Sequence, residues 1–290
     1  MTPIIRQVGV VGCGLMGAGI AEVCARAGYI VIVREVGPDP LQAGMARVSA
    51  SLDKAVRRGK LTPAEAEQIR ARITGSTELE ALSGCDLVIE AVPEVMSLKR
   101  EVFVRLDQIL PPHALLASNT SSLALIELAA ATRRPQQVLG LHFFQPAPVR
   151  PLLEVVRTRL TSEDSLQQAH AFGQSLGKTV VVSQDTPGFI VNRLLIAYLL
   201  HAVDSWERGV ASCEDFDTAI QLGLGHPMGP FALLDLIGLD TVLLIADAIY
   251  AETKDPRFVA PPVLRRMVAA GQLGRKSGQG FYCYETGSES

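Results

Sequence analysis

Five histidines in this chain can exchange a proton near neutral pH, because an imidazole has an unperturbed pKa of about 6.5. Four have plain structural settings: His113 follows two prolines, His170 and His201 sit in helical patterns, and His226 lies in a Gly-His-Pro turn. His142 differs, because it ends an apolar run of strand character that begins at residue 138. Twelve residues on, Glu154 interrupts Leu152-Leu153-Glu154-Val155-Val156. A carboxylate in so apolar a strand is costly to bury without a partner. Pro146, Pro148 and Pro151 let the chain double back between the two, so His142 is the expected partner. A histidine oriented by a carboxylate has the chemistry of a general acid and base. The plain alternative is a core histidine and a glutamate on an exposed edge.

A second constellation could hold an anionic ligand. Gly12-Cys13-Gly14-Leu15-Met16-Gly17 has the G-x-G-x-x-G pattern, directly after the apolar Val8-Gly9-Val10-Val11 and before a helical pattern over 15–27. In a dinucleotide-binding turn Gly12 makes the tight bend, Gly14 lets the backbone approach a pyrophosphate, and Gly17 lets helix and strand pack closely. The pyrophosphate faces the helix amino terminus, across Leu15 and Met16. Glu35, about 20 positions on, ends the next strand, where its carboxylate can accept from both ribose hydroxyls and repel a 2′-phosphate. Arg34 beside it could accept that phosphate instead, or be a solvated surface arginine. Ser118-Asn119-Thr120-Ser121-Ser122 ends another strand in hydroxyl and amide groups. They could contact a substrate or cap the helix that follows, for which Ser and Thr are favoured. Asn192 opens a very apolar helix and must find a partner or face a cleft.

These residues need a scaffold. Over 7–182, short β-branched runs at 7–11, 30–33, 87–91, 114–117, 138–142, 152–156 and 179–182 alternate with helical patterns. That alternation predicts a parallel sheet with helices on both faces, an α/β fold. A polar helical insert at 40–72, broken at Gly59-Lys60-Leu61-Thr62-Pro63, reads as a helical hairpin projecting from the sheet. After Ser183-Gln184-Asp185-Thr186-Pro187-Gly188 helix-period apolar residues take over, with helices expected at 189–208, 213–222, 231–253 and 262–270. Two domains follow, 1–186 and 187–290. The apolar residues around helix 190–203 suggest burial in a bundle or a subunit interface, and the tail at 285–290 is expected to fray.

Composition narrows the classes further. At 290 residues and 48% hydrophobic, the chain can bury two cores. A formal charge of -3 gives no field to attract nucleic acid or an anionic membrane, so neither is an expected partner. Its most apolar stretches are interrupted by Asn192 and Arg193, or by Asp235, Asp240 and Asp247, which leaves no membrane span. Met1-Thr2-Pro3-Ile4-Ile5-Arg6 lacks a signal-peptide pattern, so a cytoplasmic setting of bacterial type is expected. Five scattered cysteines imply neither disulfides nor a metal site.

The motifs together resemble the short-chain L-3-hydroxyacyl-CoA dehydrogenase family, of the 3-hydroxybutyryl-CoA dehydrogenase type. The resemblance rests on the glycine loop, on Ser118-Asn119-Thr120-Ser121-Ser122 and on Leu141-His142-Phe143-Phe144. It continues through Asp185-Thr186-Pro187-Gly188-Phe189-Ile190-Val191-Asn192-Arg193, Gly225-His226-Pro227-Met228-Gly229-Pro230-Phe231 and Gly274-Arg275-Lys276-Ser277-Gly278-Gln279-Gly280-Phe281-Tyr282, in family order over nearly the whole chain. It implies a Rossmann-like NAD-binding domain, a helical carboxyl-terminal domain that builds a homodimer, and an active site in the cleft between them. It also implies NAD-dependent oxidation of a 3-hydroxyacyl-CoA and the reverse reduction. His142 resembles the base and Glu154 its orienting carboxylate, while Ser121 and Asn192 resemble polar groups at the substrate's reacting end. Glu94 and Lys99 match positions near the nicotinamide half of the cofactor, and Asn119 is counted with them. Ser51 and Arg58 fall where the family meets the nucleotide end of coenzyme A, thickened by Lys54 and Arg57, or they form a solvated helix face.

Gln145, Val95 and Arg150-Pro151 depart from the family's pattern near the implied cleft. An arginine there would be costly beside an acyl tunnel unless it met a polar or carboxylate acyl terminus. Two other functions compete: a related sugar-acid dehydrogenase of the L-gulonate type, and a non-catalytic, crystallin-like dinucleotide-binding protein.

Overall fold

A computed structural model describes residues 5–284; the segments at 1–4 and 285–290, including the tail expected to fray, lie outside the described residues. The chain divides into two compact units, 1–186 and 187–290.

In the first unit the elements run β1 (Gln7–Val11), α1 (Leu15–Arg26), β2 (Ile30–Arg34), α2 (Pro38–Arg57), α3 (Pro63–Ala71), β3 (Ile73–Ser76) and β4 (Leu87–Glu90). They continue as α4 (Met96–Ile109), β5 (Leu115–Ser118), α5 (Leu125–Ala130), β6 (Val138–Phe143), β7 (Leu152–Arg157), α6 (Glu163–Ser175) and β8 (Thr179–Gln184). The eight strands form one sheet in the order β3-β2-β1-β4-β5-β6-β7-β8. Val8, Val10, Leu87, Val88, Ile89 and Leu116 are wholly buried, as a sheet covered on both faces requires. Each such side chain contributes about 1.5–3 kcal/mol by leaving water.

Three expectations for the first unit need correction. The sheet is not wholly parallel, because β7 runs antiparallel to β6. It also has a strand that the pattern over 40–72 concealed: β3, four residues with Gly75 and Ser76 at their end, pairs parallel with β2. Finally, the helical insert does not project clear of the sheet. Val48, Leu52, Ala66 and Ile69 are buried in the same core as Ile20 and Val31. The break between α2 and α3 is where it was expected, and a capping box explains it. Thr62 Oγ1 accepts from the Glu65 N–H at 3.2 Å while the Glu65 carboxylate accepts from the Thr62 N–H at 2.7 Å.

Register aligns the carboxyl ends of the central strands. Val11 pairs with Glu90, and Glu90 with Ser118. The loops after β1, β4 and β5 therefore leave from one edge, and Ser118 in turn pairs with Gly140, two residues before His142.

The second unit is helical: α7 (Val191–Glu207), α8 (Cys213–Leu224), α9 (Pro230–Ile237), α10 (Leu239–Thr253) and α11 (Pro262–Ala269). The single helix expected at 231–253 is two, because Gly238 sits at φ 98° and ends α9. Asp217 caps α9, accepting from the N–H groups of Phe231 at 2.8 Å and Ala232 at 2.9 Å. Asp235 accepts from the N–H groups of Phe281 and Tyr282, so the glycine-rich segment at 274–282 is built around a buried carboxylate of α9. Among the described residues no helix is long and apolar enough to cross a membrane.

Candidate active site

His142 and Glu154 are register partners across the antiparallel step from β6 to β7. Directly opposed residues of such a pair point to the same face, and the His142 Nδ1 lies 2.6 Å from the Glu154 Oε2. Glu154 is wholly buried and His142 is 6% exposed, so the imidazole is held by a shielded carboxylate with a little of its surface open. Phe144 packs its ring 4.5 Å from the imidazole centroid. A charge-assisted bond of this length fixes ring orientation. In the tautomer that carries its proton on Nδ1, the imidazole donates to Glu154.

The glycine loop has the space that a dinucleotide needs. Gly12 adopts φ 91°, and a Cβ there would meet the Ala91 carbonyl oxygen at 2.8 Å. A Cβ on Gly17 would fall on the Gly12 carbonyl oxygen, well inside van der Waals contact, whereas one on Gly14 would meet nothing within 4 Å. Gly14 and Leu15 are exposed and Met16 half-buried, and no side chain caps the amino terminus of α1. Its first N–H groups are thus available to an anion. Glu35 stands beside the loop: Oε1 accepts from the Cys13 N–H at 2.5 Å and Oε2 from the Val36 N–H at 3.0 Å. A carboxylate has about four acceptor positions, which leaves one on each oxygen for ribose hydroxyls. Arg34 sends its Nε to the Thr77 carbonyl oxygen at 3.3 Å. These residues fit NAD.

A buried charged network lies on the next two strand ends. Lys99, 1% exposed, donates to Glu90 Oε1 at 2.7 Å and to the Val92 carbonyl oxygen at 3.1 Å, and forms an ion pair with Glu94 Oε2 at 3.2 Å. Glu90 also accepts from the Ser118 hydroxyl at 2.6 Å and the Val92 N–H at 2.7 Å. The other oxygen of Glu94 accepts from the Thr120 hydroxyl and from the N–H groups of Ser121 at 3.1 Å and Ser122 at 3.3 Å. Burial raises both carboxyls. For Glu94 the Lys99 charge and the Thr120 and Ser121 bonds outweigh that and hold it below the usual range. For Glu90 burial prevails and the carboxyl stays raised.

The serine-rich loop is therefore not the cap of α5, one of its two expected roles. Asp185, sixty residues away, provides that cap, with the Leu125 N–H at 3.0 Å and the Ile126 N–H at 2.7 Å. Asn119 reaches the histidine's strand: its Oδ1 accepts from the Phe143 N–H at 2.9 Å. Sequence reasoning passed over Glu90, and it read Thr120 and Ser122 only as members of the hydroxyl-rich run at 118–122. The signal for Glu90 was available, because it is a carboxylate at the end of Leu87-Val88-Ile89, as Glu154 is within an apolar strand.

The other candidates are more dispersed. Ser51 is half-buried on α2, and Arg58 ends that helix, exposed together with Lys54 and Arg57. Asn192 stands half-buried at the amino terminus of α7, in the second unit. Val95 is exposed, and so is Arg150, whose Nε donates to the Gln145 carbonyl oxygen at 3.2 Å. With its guanidinium in solvent, Arg150 bears no burial cost that a carboxylate substrate would have to relieve.

Known proteins match this chain along nearly its whole length. The family model of the 3-hydroxyacyl-CoA dehydrogenase NAD binding domain matches residues 7–186, and that of the C-terminal domain residues 188–284. A 3-hydroxybutyryl-CoA dehydrogenase of Mycobacterium tuberculosis is 51% identical over 286 residues, covering 98% of this chain and 100% of the relative. The mitochondrial hydroxyacyl-coenzyme A dehydrogenase of Sus scrofa is 43% identical over 289 residues, covering 97% and 92%. The crystal structure of an (S)-3-hydroxybutyryl-CoA dehydrogenase from Ralstonia eutropha superposes with a TM-score of 0.94 at 41% identity, covering 97% and 100%. With both domain models matched in tandem and relatives of this identity aligned end to end, the chain belongs to the 3-hydroxyacyl-CoA dehydrogenase family.

Proposed function

We propose that the chain interconverts an (S)-3-hydroxyacyl-CoA and its 3-oxoacyl-CoA with NAD as cofactor, and that the hydroxybutyryl thioester is its substrate. The observation that carries this reading is the 2.6 Å bond between His142 and the buried Glu154, in the sheet whose β1 leads into a glycine loop that fits NAD. The relatives named 3-hydroxybutyryl-CoA dehydrogenases support the choice of acyl group.

When bound, the nicotinamide supplies the acceptor for the hydride leaving the carbinol carbon. In that direction His142 Nε2 takes the hydroxyl proton, and in the other it returns the proton to the forming alcohol. Glu154 holds the imidazole in the tautomer with Nδ1–H and balances the imidazolium that forms. On the family resemblance we assign Ser121 to the reacting oxygen and Glu94, Lys99 and Asn119 to the cofactor's side of the site; the same resemblance alone assigns Asn192, in the second unit, to the substrate. Ser51 and Arg58 take the nucleotide end of coenzyme A.

The decisive measurement is NADH oxidation with acetoacetyl-CoA, with 3-dehydrogulonate as the second substrate. Turnover of the thioester alone is expected. Turnover of the sugar acid alone would mean a gulonate-type enzyme, and NADH binding without turnover of either would mean a non-catalytic protein.

A cytoplasmic homodimer is the setting we infer. Five unpaired cysteines suit a reducing compartment. The helical unit exposes Leu194 at 70% and Leu244 at 61%, apolar surface of the kind that a symmetric partner covers. Light scattering should return twice the mass of one chain.

A further inference from the structure

We propose that Glu90, through Lys99 and Glu94, is a positioning residue for the loop at 119–122. This rests on the dehydrogenase reading above and adds to it a residue outside the sheet-edge groups that would touch substrate or cofactor.

Glu90 is wholly buried at the end of β4, where register sets it between Val11, which precedes the glycine loop, and Ser118, which precedes the serine-rich loop. Its carboxylate ties three elements at once: β5 through the Ser118 hydroxyl, the β4–α4 turn through the Val92 N–H, and α4 through Lys99. Lys99 then fixes one oxygen of Glu94, and the other oxygen of Glu94 collects Thr120, Ser121 and Ser122. The loop so held carries Asn119, which is bonded to the residue next to His142. Two carboxylates, Glu90 wholly buried and Glu94 a quarter exposed, and one buried ammonium make a triad of net charge minus one when both acids are ionised. Such a group is strongly coupled: taking away the cation alone leaves two facing carboxylates, whereas taking away the cation and one carboxylate leaves a neutral partner and a single acid.

The loop's conformation is therefore conditional on the Glu90–Lys99 pair, and its displacement should act on the chemical step. A reacting group misplaced by about an ångström costs up to roughly 100-fold in rate. The coenzyme A end of the substrate is gripped elsewhere, so its KM should change little.

The experiment compares native enzyme, Glu90→Gln, Lys99→Met and the double variant, well below their melting temperatures. It reads kcat and KM for acetoacetyl-CoA per folded molecule, together with amide hydrogen exchange. Lys99→Met should lower kcat on the order of 10–100-fold, with KM changed less than about threefold. Exchange of the Ser121 and Ser122 amides should speed up while that of Ile126, held by Asp185, stays as in the native protein. Glu90→Gln added to Lys99→Met should restore most of the lost kcat, and Glu90→Gln alone, which is isosteric, should show a smaller loss. Single variants that melt earlier yet keep native kcat and native exchange at Ser121 and Ser122 would overturn the proposal, as would a double variant no better than Lys99→Met. Absence of turnover by the native protein would instead sink the dehydrogenase reading, and the exchange measurements would then decide the positioning role by themselves.

Discussion

His142 and Glu154 face each other across the one strand pair of the described sheet that runs antiparallel, with Nδ1 and Oε2 2.6 Å apart. A parallel crossover would separate two such residues by at least a dozen intervening residues of helix and loop. Here a hairpin brings the imidazole onto a carboxylate that has no exposure to water. Glu154→Gln keeps the shape but removes the charge that balances an imidazolium. It should fold and bind NADH normally yet lose roughly 10²–10⁴-fold in kcat, and His142→Gln should lose at least as much. The two losses should be strongly non-additive. A double variant whose loss equals the product of the single losses would mean that the residues act independently.

Gly14 and Gly17 should separate binding from folding. The Cβ of Gly17→Ala would collide with the Gly12 carbonyl, forcing α1 off β1 at a cost of about 3 kcal/mol. Gly14→Ala meets no atom within 4 Å and should melt like the native protein. Its methyl group faces the proposed pyrophosphate position, so NADH affinity should fall. Thermal melts with and without NADH check both, and a Gly14→Ala protein with native NADH affinity would remove the pyrophosphate from that position.

Glu35 should set the preference for NAD over NADP. Replacement by Ala removes the acceptor for the Cys13 and Val36 N–H groups as well as the proposed ribose contact, so NADH affinity should drop by roughly tenfold or more. NADPH use should improve relative to NADH, because the charge that repels a 2′-phosphate is gone. Native protein that turned over the two cofactors equally well would assign control to Arg34 instead.

Acid should weaken the first unit through Asp107. Burial alone would raise this carboxyl, but the Arg133 N–H and the Arg134 and Arg133 guanidiniums outweigh it and hold it below the ordinary aspartate range. A depressed folded pKa means that the unfolded chain takes up the proton first. The stabilisation is then complete above the unfolded value of about 3.9 and drains away as pH falls through the folded one. Asp107→Asn should lower the unfolding free energy at pH 7, and the gap from native should close as pH falls below that value. Urea melts across that window test it, and a gap independent of pH would remove Asp107 as the titrating group.

The glycine loop, Glu35 and the His142–Glu154 pair were legible because each has a local signature: a spacing, a strand end, a charge in an apolar run. The insert's break was legible for the same reason, since Thr62-Pro63-Ala64-Glu65 is a cap written in four residues. β3 was not, because four residues ending in Gly75 and Ser76 have too little apolar alternation to stand out from the helices before them. The split between α9 and α10 was hidden by Leu236, Ile237 and Leu239, which continue a helical period across Gly238. The network of Glu90, Lys99 and Glu94 joins a strand end, a helix and a distant loop, and no period in the chain encodes that meeting. The same is true of Asp185, which caps α5 from sixty residues away.

The antiparallel turn between β6 and β7 bears on how the protein comes to life. Residues twelve apart can meet as soon as a hairpin closes, on the microsecond scale, whereas contacts of long sequence separation wait for much larger loops to be ordered. The imidazole and its carboxylate can thus be introduced to each other early in folding. The groove in which they would act is drawn from strand ends between residues 11 and 143, whose pairing has to order far longer stretches of chain.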